Sequence, residues 1–125
     1  MVRQFMSTIE YKEMNVNTNI DGPNVAFGET LSGTIYIEGE ASEELVDYIE
    51  IALLKRSVVD EDIIAKQSIE MMSDMKSKET WMIPFEMVPD ERWEMEDEER
   101  TLMLRTTVYL KNGVHIQDED AITYE

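Results

Sequence analysis

The chain has 125 residues and a mass of 14.6 kDa, enough for one compact domain, and its 42% apolar content suffices to close a core. Twenty-eight acids against eleven Lys and Arg leave a net charge of −17, which repels nucleic-acid backbones and anionic lipid headgroups alike. With no cysteine and a single histidine, thiol catalysis, disulfide staples and Cys/His metal clusters are excluded.

One domain is therefore expected over residues 1–125, opening on a short N-terminal segment, 1–12. That segment, MVRQFMSTIEYK, has neither an apolar run of signal-peptide length nor a small-residue cleavage site. The longest uninterrupted apolar run, Ile51 to Leu54, is four residues, too short for a membrane helix. A cytoplasmic protein with no membrane and no nucleic-acid partner is the expectation.

Met14, Val16 and Ile20 are spaced by Asn and Thr, the period of a strand with one buried face. Asp21-Gly22-Pro23-Asn24 reads as a turn. Leu31, Gly33, Ile35 and Ile37 then alternate with polar residues in the clearest strand of the chain, which Gly39 closes. Residues 41–56 carry two readings. Ser42 followed by Glu43 and Glu44 resembles a helix start, whereas Ile49, Ile51 and Leu53 fit one face of a strand. The neighbouring strands need a pairing partner, so strand is preferred. Asp60-Glu61-Asp62 is read as a hairpin connection, and Ile63 to Met75 as a fourth strand whose period is blurred by Ile63-Ile64 and Met71-Met72.

Lys76-Ser77-Lys78 turns the chain. Trp81, Ile83, Phe85 and Met87 alternate in a fifth strand, which Pro84 assigns to an edge or a bulge. Residues 90–100 hold seven acids in eleven positions and form a solvated segment. Leu102, Leu104, Thr106, Val108 and Leu110 make a sixth strand, and a seventh lies within 114–123. Asn112-Gly113 is a strong two-residue hairpin signal, yet such a turn sets His115, not Ile116, on the Leu110 face. Either both faces are partly covered, or a bulge shifts the register so that Ile116 joins the core. Seven short strands predict an all-β, antiparallel immunoglobulin-like sandwich.

Phe27-Gly28-Glu29-Thr30-Leu31-Ser32-Gly33-Thr34-Ile35-Tyr36-Ile37 resembles the opening of an arrestin-like domain, where a Pro-Gly-Glu turn leads into an apolar-x-Gly-x-apolar-x-apolar strand; here Phe27 stands at the proline. Ile49 to Leu53 is similar to the next family strand, and Ile83-Pro84-Phe85-Glu86-Met87-Val88-Pro89 to the family's Pro-Phe strand. Leu104 to Leu110 and Asp118 to Ile122 resemble the closing strands of the bacterial sporulation-control proteins. The resemblance runs from Asn15 to Tyr124 and implies a cytoplasmic regulatory or adaptor protein without a catalytic motif. Sporulation-control proteins continue into a second sandwich, so this chain corresponds to a single half, and a homodimer is expected as its substitute.

No residues are assigned to catalysis, a cofactor or a metal. His115 with Asp118 and Asp120 offers imidazole and carboxylate ligands, but a hairpin histidine is the preferred reading. The acid clusters at 60–62, 90–99 and 118–120 lack EF-hand spacing and are read as solvated charge. Ten methionines are weighed as core filling ahead of a binding patch. Trp81 belongs to the core by its alternation. Trp93, inside the acidic run, is the candidate interaction anchor, with Glu94, Glu96, Asp97, Glu98 and Glu99 as its acidic surround. The expected function is non-enzymatic regulation through a sandwich edge or this loop-end surface, against a basic protein partner. The alternative is an acidic inhibitor or nucleic-acid mimic that neutralises a basic partner.

Overall fold

The computed structural model describes residues 5–11, 14–22, 24–39, 46–70, 76–77, 80–94 and 100–125, with backbone alone at 5–11 and 76–77. Among the described residues, two five-stranded sheets face each other. The first has the order β1-β2-β4-β8-β7, from β1 (Phe5–Tyr11), β2 (Met14–Ile20), β4 (Leu31–Glu38), β8 (Thr80–Met87) and β7 (Lys76–Ser77). The second has the order β3-β10-β9-β5-β6, from β3 (Asn24–Val25), β10 (His115–Tyr124), β9 (Thr101–Leu110), β5 (Val46–Arg56) and β6 (Glu61–Glu70). All pairings are antiparallel except the short β3–β10 contact. The expected sandwich is thus the observed fold.

Alternation drives the closure. β2, β4 and β8 turn Met14, Val16, Ile20, Leu31, Ile35, Ile37, Trp81, Ile83, Phe85 and Met87 toward the second sheet. β5, β9 and β10 answer with Ile49, Ile51, Leu53, Leu102, Leu104, Val108, Leu110 and Ile122. Each such side chain contributes about 1.5–3 kcal/mol of burial. Thr18 Oγ1 meets Thr106 Oγ1 at 3.4 Å across this interior, between β2 and β9.

Several expectations need correction. Residues 5–11, taken as a simple N-terminal segment, form β1, paired along its whole length with β2. The signal was muted because Ser7, opposite Thr18, interrupts the apolar positions of the strand. The β5–β6 connection lies at 57–60, so that of Asp60-Glu61-Asp62 only Asp60 belongs to it; Glu61 and Asp62 are strand residues held by Arg56 and Arg100. β6 ends at Glu70, and residues 71–75 lie outside the described residues. The Ile63-Ile64 doublet marks a bulge opposite Leu53 and Leu54, where Ile64 turns into the core and Ile63 stays exposed. In 41–56 the strand reading holds over 46–56, while Ser42-Glu43-Glu44 lies outside the described residues.

At the last hairpin the second alternative is realised. Lys111-Asn112-Gly113 makes a three-residue connection, with Gly113 at φ 91° and Leu110 N donating to Val114 O at 2.8 Å. The register shifts so that Ile116 pairs Val108 and packs against the core, and exposed His115 pairs Tyr109. Pro84 also sits as expected. β7 pairs only Thr80 and Trp81, leaving β8 an open edge at Pro84 among the described residues.

Candidate functional site

The strand directions bring the ends of β2, β5, β8 and β10 and the starts of β4, β6 and β9 together at one end of the sandwich. There Asp90 caps a single 3-10 turn, Glu91–Trp93: its Oδ1 accepts from Arg92 N at 2.8 Å, and its carbonyl from Trp93 N at 3.1 Å. Arg92 folds back onto the same carboxylate at 2.8 Å, and the bond holds the Asp90 carboxyl below its ordinary range.

This turn overturns the expected role of Trp93. Its side chain is 0% exposed and belongs to the core, edge-on to Tyr124 with ring centroids 5.6 Å apart. A partner cannot meet the ring. The acidic run concealed this, because its charge is carried by residues on either side of one inward-pointing indole. Trp93 Nε1 is buried without a hydrogen-bond partner. Glu94 is exposed, and its carbonyl accepts from Lys55 Nζ at 2.6 Å. Glu96, Asp97, Glu98 and Glu99 lie outside the described residues.

Beside its acids, the loop end exposes apolar side chains. Phe27 is 66% exposed, Val88 76%, and Val58 and Val59 stand in solvent at the β5–β6 apex. Phe27 rests on Tyr124 with centroids 5.5 Å apart, and its turn is tied down by Gly28 N donating to Tyr124 Oη at 2.8 Å. Gly28 there has φ 85°, a conformation costly for other residues. From Phe27 the contacts run through Tyr124 to the Trp93 turn, and through Glu94 to Lys55 near the β5–β6 apex. Two signals in the sequence could have found this surface and were not read so: an aromatic residue, Phe27, where the family has proline, and the Val58-Val59 pair just before Asp60.

On the outer face of the second sheet, four adjacent strands share one ion-pair network. Glu119 of β10 meets Arg105 of β9 at 2.9 Å and also Arg56 of β5, while Glu61 of β6 meets Arg56 at 2.8 Å and Arg105 at 2.9 Å. The acids near residues 60 and 118 therefore converge on two arginines. The Arg56 hydrogen bonds, then those of Arg105, hold both glutamate carboxyls below the ordinary range. A carboxylate with a folded-state pKa below its unfolded one stabilises the fold above the unfolded value, and that stabilisation vanishes as pH falls through the folded value. Glu119→Gln is therefore expected to cost about 1 kcal/mol at neutral pH, with the difference from wild type closing below about pH 4. Thermal melts across pH check this; a pH-independent deficit would place the role of Glu119 in packing.

The 118–120 cluster is split by strand alternation. Asp118 and Asp120 pair Thr106 and Leu104 on the inner face, whereas Glu119 and His115 point outward. Imidazole and aspartates thus lie on opposite faces and do not form one ligand set. Asp118 Oδ2 is buried without a partner, and Asp120 is 2% exposed. No group of three or more His, Cys, Asp or Glu suited to a metal occurs among the described residues. Among them, no helix is long and apolar enough to cross a membrane.

Sandwich, strand order and loop-end surface together define an immunoglobulin-like, arrestin-like domain. The chain belongs to the Spo0M family: the model of that family, described as SpoOM protein, matches residues 2–125. Among solved structures it is similar to Spo0M, the sporulation control protein of Bacillus subtilis, at a TM-score of 0.69 and 17% identity over 92% of this chain. It spans 50% of that protein's chain. A superoxide reductase (neelaredoxin) from Ignicoccus hospitalis shares the fold at a TM-score of 0.51 and 8% identity, covering 88% of this chain and 80% of its own. No curated protein matches in sequence.

Proposed function

We propose that this chain is a cytoplasmic, non-enzymatic adaptor that regulates by binding a basic protein through the loop end of its sandwich. The observation that carries the reading is the exposure of Phe27, Val58, Val59 and Val88 at one end of a body with net charge −17. An apolar centre supplies affinity, and an acidic surround steers and selects a cationic partner. Repulsion between two bodies of this charge opposes a homodimer, so the partner is a different molecule.

The net charge by itself favours a second reading, the acidic inhibitor that neutralises a basic protein. Affinity capture from host lysate at low and high salt separates the two, with wild type beside a Phe27→Asp, Val88→Asp variant. A partner retained at high salt and lost with the variant is expected. A basic partner released by salt and indifferent to both substitutions would favour the inhibitor, and capture of nothing would sink both readings.

A further inference from the structure

The connection between β5 and β6 has Val58 and Val59 at its apex, 100% and 90% exposed. Turns draw mainly on Gly, Pro, Asn, Asp and Ser, and two consecutive β-branched residues in this four-residue connection give up that turn propensity. Neither valine recovers that cost by burial. The turn is nonetheless held firmly. Ser57 N donates to Asp60 O at 2.9 Å, and Ser57 Oγ accepts from the Val59 and Asp60 amides at 3.3 and 3.1 Å while donating to Asp60 Oδ1 at 2.8 Å. On the flanks Arg100 reaches Asp60 at 3.3 Å and Asp62 at 2.8 Å, and Arg56 closes on Glu61 at 2.8 Å. Two stiff apolar side chains on a braced turn lose little entropy on docking. A local rule broken with no return inside the fold points to a role outside it.

Resting on the loop-end reading above, we propose that Val58 and Val59 are the anchor of that surface and insert together into an apolar pocket of a protein partner. The rim of the pocket carries Lys or Arg side chains facing Asp60 and Asp62, whose side chains remain 52% and 61% exposed. The net charge of −17 steers a cationic rim toward them. The same charge turns away a second copy of this chain and an anionic membrane.

One test needs no partner. Val58→Asn combined with Val59→Gly restores favoured turn chemistry and is expected to raise Tm by about 3 °C. A fall in Tm would show that the valines serve the fold and overturn the anchor. The second test places a photo-crosslinking residue at position 27, 58 or 88 in cells, with position 111 at the opposite end as reference. The protein captured at 58 is purified and titrated with the full chain. Val58→Ser with Val59→Ser should weaken binding about tenfold or more, and Lys111→Ala should leave it unchanged. Binding indifferent to the valines, or capture at 27 or 88 without capture at 58, overturns the anchor while the loop-end reading stands. Capture at none of the three overturns both.

Discussion

Trp93→Ala is expected to destabilise the fold by about 4 kcal/mol, lowering Tm by about 15 °C. The indole is 0% exposed and lies edge-on to Tyr124, and Tyr124 in turn supports the Phe27 turn. Truncation leaves a cavity at the sandwich end that the capped 3-10 turn cannot collapse into, because Asp90, Arg92 and the backbone hold it in place. Trp93→Phe should retain most of the stability: Nε1 donates to nothing, so the change removes volume without breaking a hydrogen bond. Chemical denaturation of both variants is the check. A cost within about 0.5 kcal/mol for Trp93→Ala, the range of surface substitutions, would return the ring to the surface and revive it as a binding anchor.

Gly33→Ala carries the next largest expectation, a loss of about 3 kcal/mol, or about 11 °C in Tm. Gly33 sits on the inner face of β4 between β2 and β8, paired with Ile20 on one side and Phe85 on the other. A Cβ there would stand 2.4 Å from the Asn19 carbonyl oxygen and 2.8 Å from Phe85 Cζ. The glycine of the apolar-x-Gly strand motif is thus required by close approach of its neighbours. Combining Gly33→Ala with Phe85→Leu should recover only part of the loss, since the shorter contact is to backbone that side-chain trimming does not move. Urea titration of the single and double variants decides it. Full recovery in the double variant would place the whole clash at the Phe85 ring.

Seen beside the site, the two variants separate stability from recognition. Trp93 and Gly33 hold the frame, while Phe27, Val58, Val59 and Val88 project from its end and touch little of the core. Substitutions at Phe27 and Val88 are expected to leave melting nearly unchanged, and those at Val58 and Val59 not to lower it, while both alter partner binding.

The sequence by itself determined the class of fold. Period-two alternation at 14–20, 31–37, 81–87 and 102–110 specifies strands with one apolar face, and such faces reach a low-energy state by packing against each other. It determined as well that the surface is strongly acidic and that thiol and Cys/His chemistry are absent. Register, facing and burial outside those runs were decided by tertiary structure. A one-residue shift at Gly113 sent Ile116 inward and His115 outward, because burying isoleucine outweighs the cost of an extra turn residue. Trp93 went into the core because a local cap aimed it there, a geometry that neighbouring acids do not reveal. Glu61 and Glu119, fifty-eight positions apart in the chain, met at Arg56 and Arg105 because strands distant in sequence became neighbours in one sheet. Alternation is a local property that a chain displays at every residue; which side chains meet across a sheet is a long-range property that arises only once the strands have paired.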